Sequence, residues 1–171
     1  RKHMLESIKL FFKDLAGGKH QDRFEDNDYR LAAAALLVHV LSIDGDVSPI
    51  ERRKLHAVLK YRFSLDDETT DALIDEATVI EGESVDLYRF TSLLGRSLDE
   101  EGRRRIIEMM WELIYADGRA NEFEDNLVWR VADLLGVSSR ERIELRQQVA
   151  ADAGAPAEHV RDRNGVRHSV R

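Results

Sequence analysis

Apolar residues recur along this chain at intervals of three and four, the period of an amphipathic helix, and nowhere in the sustained alternation that a half-buried strand requires. Leu5, Ile8, Phe12 and Leu15 mark a first stripe, and Gly17-Gly18 ends it in the manner of a helix C-cap. A second helix is predicted from about Asn27 to Ile43, with Leu36, Leu37, Val40 and Leu41 on its inner face. Further helices are predicted over Pro49 to Arg62, Asp67 to Ile80, Asp86 to Leu94, Glu100 to Ala116, Glu122 to Leu135 and Ser139 to about Ala150. The fold class expected is all-α, a compact domain of about eight helices. Residues 4–150 would form it. Arg1 to His3, ahead of Met4, read as an expression remnant, and residues 151–171 as a mostly disordered polar tail without apolar period.

The pattern repeats. Shifting the chain by 73 positions places Asp44-Gly45 on Asp117-Gly118, Glu51 on Glu124 and Val58 on Val131. The apolar positions keep the same register: Leu36 with Met109, Leu37 with Met110, Val40 with Leu113, Leu41 with Ile114, Ile50 with Phe123 and Leu55 with Val128. Two copies of a helix-turn-helix unit, with the helix near Asp86 to Leu94 inserted between them, should therefore share one core, since neither copy can bury its stripe alone. Trp111, Tyr115, Phe123 and Trp129 gather at the second copy with helical spacing and read as core residues rather than as a cofactor box.

Each Asp-Gly turn carries two readings. Gly45 and Gly118 stand where a left-handed residue ends a helix. Ser48 then serves as N-cap, Pro49 as first helical residue and Glu51 as the partner of a capping box; Asn121 and Glu124 repeat the arrangement. That reading needs no ligand. The second starts from the observation that Asp44 and Glu51, like Asp117 and Glu124, continue the inward stripes of their helices and so point at the edge of the core. Carboxylates gathered in a partly desolvated place repel unless a cation, an Arg or helix N-terminal amides neutralise them. A hard divalent cation, Ca2+ or Mg2+ ahead of Zn2+, would suit the oxygens of Asp44, Asp46, Glu51, Asp117 and Glu124. The spacing is not that of an EF-hand. His39 and His56 flank the first turn on its two antiparallel helices, a placement that could pair them for zinc or a pH-sensitive role, but their counterparts Glu112 and Trp129 do not preserve the pair and they read as partly exposed side chains.

Composition narrows the function classes. Thirty-three Asp and Glu against twenty-six Lys and Arg give a formal charge of -7, and the segment from Asp66 to Glu101 alone holds twelve acids against Arg89 and Arg96. Such a surface argues against nucleic acid, whose phosphates require clustered cations. The absence of cysteine excludes thiolate metal sites and thiol nucleophiles. The longest apolar run, Leu31 to Val38, is far shorter than the ~20 residues of a membrane span. Lys9 and Lys13 on the first stripe would suit an anionic membrane surface, but Glu6 and Asp14 dilute that charge, and core packing is the expectation. There is no G-x-S-x-G, no P-loop, no H-E-x-x-H and no Glu-x-x-His pair, so no catalytic residue and no organic-cofactor residue is assigned and no enzyme activity is expected.

The run from Leu31 to Glu51 (LAAAALLVHVLSIDGDVSPIE), followed by Trp111-Glu-Leu-Ile-Tyr-Ala-Asp-Gly118 and Glu122-Phe-Glu124, resembles the tellurite-resistance protein B (TerB) family, most closely its small stand-alone bacterial branch. The resemblance covers about Asp28 to Val149. The domain is also similar to the N-terminal region of a membrane-anchored J-domain co-chaperone. The resemblance implies an all-helical domain with a pseudo-repeated core, no established catalysis, and a divalent-metal site formed by the acids of the two turns. By position those acids are Asp44, Glu51, Asp117 and Glu124; Asp46 matches less securely, because Arg119 stands opposite it in the second copy. The expected function is a bacterial cytoplasmic, metal-binding module of the tellurite-type stress response. The alternative is a metal-free adaptor for membrane-associated or chaperone proteins, peripheral to the inner membrane, that docks through the acidic segment or the first helix.

Overall fold

The uninterrupted apolar run Leu31–Val38 dictates the centre of the molecule, because a helix that is apolar on every side can be stable only when other elements surround it. In the computed structural model this run lies within α1 (Tyr29–Ser42), where every residue from Leu31 to Val38 is buried. The structure describes residues 24–25, 27–43, 45–83, 86–116 and 119–154, and the backbone of 159–161 and 167–169. The helix predicted around Leu5 to Leu15 lies outside the described residues.

Six more helices follow: α2 (Pro49–Phe63), α3 (Asp67–Glu83), α4 (Leu87–Ser97), α5 (Glu100–Tyr115), α6 (Glu122–Leu135) and α7 (Ser139–Asp152). Their starts are set by side chains that satisfy the free amides of a first turn. Asp28 caps α1 by accepting from Arg30 N at 2.9 Å, Asp86 caps α4 and Asp99 caps α5. Ends are set by backbone shape. Gly136 closes α6 in the left-handed region at φ 73°, and Ser64 closes α2 there at φ 52°, a conformation that costs a residue with a Cβ more than it costs glycine.

The repeat is larger than its side-chain pattern predicts. α1, α2 and α3 correspond under the 73-residue shift to α5, α6 and α7, so each copy has three helices. The packing agrees: α1 lies on α2 and α3 as α5 lies on α6 and α7, while α4 bridges the copies by contacting α1 and α6. The one core they share includes Leu36, Leu37, Leu55, Leu59, Met110 and Trp111, all essentially inaccessible to solvent. Matched positions share burial: Leu36 with Met109, Val40 with Leu113 and Leu55 with Val128.

Two expectations change. Trp111 and Tyr115 are core residues, their rings 5.9 Å apart, but Phe123 and Trp129 are exposed, at 66% and 47%. The buried stripe of α6 is Leu127, Val128, Val131, Ala132 and Leu135, which leaves Trp129 turned away from it. Beyond α7, where no strand is predicted, His159–Arg161 and Arg167–Ser169 pair antiparallel as two three-residue strands. No helix among the described residues is long and apolar enough to cross a membrane.

Candidate functional site

The first Asp-Gly turn connects α1 to α2 across the edge of the core. Ser42 Oγ donates to Val38 O at 2.8 Å and Gly45 N donates to Ser42 O at 3.2 Å, drawing the chain away from the helix axis. Gly45 has a φ of 131°, a value that L side chains rarely adopt. The predicted capping box follows: Glu51 N donates to Ser48 Oγ at 3.1 Å, and Ser48 N donates to Glu51 Oε1 at 3.1 Å. The second turn ends alike, with Glu124 N donating to Asn121 Oδ1 at 2.8 Å and Asn121 N donating to Glu124 Oε1 at 3.0 Å. A third box, Ser138 with Glu141, starts α7.

These bonds bear on the proposed ligands. Glu51 and Glu124 each commit an oxygen to a cap, and they stand on helices that share α5 as a neighbour without packing substantially on each other. Asp46 is exposed beside the first turn. Asp44 and Asp117 lie outside the described residues. Among the described residues no three acidic or histidine side chains converge as a metal site would require.

What the first turn does border is a groove of about 640 Å³. Its floor is apolar, made by Val38 of α1, Val47 of the turn, Leu55 of α2 and Ile74 of α3, and its walls carry Asp46, Glu81 and Arg52. The hydroxyl of Thr78, also in its lining, is committed to Ile74 O at 2.7 Å. The groove exists because α3 crosses α1 and α2 close to the turn, bringing the acidic segment against it. The two histidines do not form a pair. His39 Nδ1 lies 3.4 Å from Glu81 Oε1, and His56 Nε2 lies 3.4 Å from Asp71 Oδ1, so each meets an acid of α3.

The start of α6 has a different neighbourhood. Arg146 of α7 donates from Nη1 to Asp125 Oδ1 at 2.7 Å and from Nε to the Tyr115 hydroxyl at 2.8 Å, and its guanidinium lies 5.0 Å from the centre of the Trp111 ring. A stacked, hydrogen-bonded arginine supplies fixed positive charge next to an acid. Burial lowers the pKa of neighbouring Arg142 from its usual value, against the opposing charge of Asp125. Sequence reasoning missed this cluster. Its available signal was the charge exchange between copies, in which Arg52 stands opposite Asp125 and Asp46 opposite Arg119. Arg52 pairs instead with Asp75 of α3 at 2.9 Å.

The two copies thus share a helix order and a capping plan, and the groove borders the first turn. Comparison with curated proteins and with solved structures gave no significant match. The family model described as "Tellurite resistance protein TerB" matches residues 30–147, from the start of α1 to within α7, and the chain belongs to the TerB family.

Proposed function

We propose that this TerB-family protein is an interaction module whose groove at the first Asp-Gly turn receives a segment of a partner protein that is both apolar and basic. One observation carries the reading: a groove of about 640 Å³ with a floor of Val38, Val47, Leu55 and Ile74 and with Asp46 and Glu81 in its walls. An apolar side chain entering the floor loses its contact with water, while a neighbouring Lys or Arg meets the two carboxylates. This is the helix-in-groove mode of recognition, in which apolar anchors supply most of the affinity and flanking charge supplies orientation and encounter rate. The partner's service in a tellurite-type stress response belongs to the same proposal. Fluorescence anisotropy of a labelled Leu/Lys amphipathic peptide tests it. Saturable binding that weakens at least tenfold in Asp46→Lys/Glu81→Lys and falls with salt is expected; equal binding to that variant would overturn the reading.

A second reading is favoured by the presence of two acids in one groove: Asp46 and Glu81. It places a divalent cation at the first turn, held by Asp46 and Glu81 with Asp44 and Glu51; Asp117 and Glu124 would act in the second copy. An ion that binds only the folded chain raises its stability by about 2.7 kcal/mol at a hundredfold excess over Kd. A melting temperature that rises with Ca2+ or Mg2+ in the wild type and not in Glu51→Gln/Asp46→Asn supports this reading. No shift at millimolar ion removes it.

A further inference from the structure

The pseudo-repeat leaves a pair of apolar residues facing outward in each copy, at the same register. Ile50 and Tyr61 of α2 are 57% and 80% exposed, and their counterparts under the 73-residue shift, Phe123 and Leu134 of α6, are 66% and 45% exposed. Within each pair the spacing is eleven residues, three helical turns, which places both members on one face. Trp129 adds to the exposed apolar area of α6. Being exposed, none of these five is explained by the core.

The charges around the two faces are inverted. Beside Tyr61 stands Lys60, and at the matching place beside Leu134 stands Asp133; beside Ile50 stands Pro49, and beside Phe123 stands Glu122. Over the whole helices, α2 holds Arg52, Arg53, Lys54, Lys60 and Arg62 against Glu51, whereas α6 holds Glu122, Glu124, Asp125 and Asp133 against Arg130. Arg52, Arg62 and Asp125 are paired within the copy with Asp75, with Glu108 and Glu112, and with Arg146, so the outward charges are carried by Arg53 and Lys60 on α2 and by Glu122 and Asp133 on α6. Arg53, Glu122 and Asp133 are exposed without an ion pair among the described residues. Lys60 is held by Asp67 at 2.7 Å, but both partners are exposed, and such surface pairs are exchanged at little cost.

Two faces with the same apolar spacing and opposite charge fit each other better than either fits itself. We infer that copies of this chain associate head to tail, with the α2 face of one copy seated on the α6 face of the next. α2 and α6 do not pack substantially on each other within a copy, so one copy presents both faces at once. The contact is heterologous, and it propagates into chains or closes into a ring. The net charge of -7 opposes indiscriminate association, so the local complementarity sets which faces meet.

Sedimentation of the full chain tests this with two variants, Arg53→Asp/Tyr61→Asp on the α2 face and Phe123→Ser/Leu134→Ser on the α6 face. The wild type should exceed the 19.6 kDa monomer mass increasingly as concentration rises, and less so in high salt. Each variant alone should remain monomeric, with a circular-dichroism spectrum like that of the wild type, since all four side chains are exposed. An equimolar mixture should form dimers and nothing larger, because one intact face of each kind survives. A wild type that stays monomeric at every soluble concentration leaves the faces to another occupant and overturns the inference. So does association of either variant alone, or a mixture that stays monomeric while the wild type associates.

Discussion

Loss of the two N-caps should lower stability by equal and additive amounts. Ser48 and Asn121 each accept a backbone N–H of the first turn, at 3.1 and 2.8 Å, and each is answered by its own Glu. Alanine at either position removes the side-chain acceptor and leaves the reciprocal bond to the Glu without its counterpart. Such a replacement typically costs about 1 kcal/mol, whereas glycine, which lets water reach the amide, costs only a few tenths. The caps sit on helices that do not pack substantially on each other, so the double variant Ser48→Ala/Asn121→Ala should lose about 2 kcal/mol with little coupling. For a chain of this size that corresponds to a fall of roughly 4–8 °C in Tm. Urea melts of wild type, single, double and glycine variants measure it. A double variant indistinguishable from wild type, or glycine variants as weak as alanine ones, would refute the capping argument.

Other consequences follow from particular contacts. Leu36→Ala, fully buried in the shared core, should cost about 2–5 kcal/mol in a urea melt, whereas Leu134→Ala on the exposed face of α6 should stay within about 0.5 kcal/mol. At Asp28, burial is the largest influence and raises the carboxyl pKa, but the hydrogen bonds and charge of Arg30 outweigh it and leave the folded value below 3.8. The associated stability is therefore complete above pH 3.8 and lost as pH falls through the lower folded value; Asp28→Asn, which can still cap, should flatten that part of the pH-stability curve. Arg146→Lys should be destabilising despite keeping the charge, because an ammonium cannot bond Asp125 and Tyr115 together and stack on Trp111; thermal melts compared with Arg146→Met separate the loss of the fork from the loss of charge.

Much of the fold is legible in the chain because its signals are local. The boundaries of α2 and α6 follow from Ser48-Pro49 and Asn121-Glu122, and the shared register of Leu36 with Met109 and Leu55 with Val128 already indicates one core. The third helix of each copy is not legible as a repeat. Ala77 matches Ala150, but Leu73 stands opposite Arg146 and Ile74 opposite Gln147, so α3 and α7 share a place in the fold with little in common chemically. The exposure of Phe123 and Trp129 runs against the general burial of aromatic side chains and is visible only once Val128, Val131 and Leu135 define the inner face. The strand pair after α7 had one local signal, Asn164-Gly165 between the paired segments, a dipeptide favoured in hairpin turns. The groove had none, because it depends on how α3 crosses two helices distant from it in sequence. For the same reason His39 meets Glu81 and not His56.

The most direct test of the groove reading is an amide chemical-shift map of the full chain titrated with the Leu/Lys amphipathic peptide, in EDTA and again with Ca2+. Shifts should concentrate at Val47, Leu55, Ile74, Thr78 and Gly82 and be the same in both conditions. Shifts scattered over the surface, or confined to the second Asp-Gly turn, would contradict it; shifts at the groove that require Ca2+ would transfer the site to the cation reading.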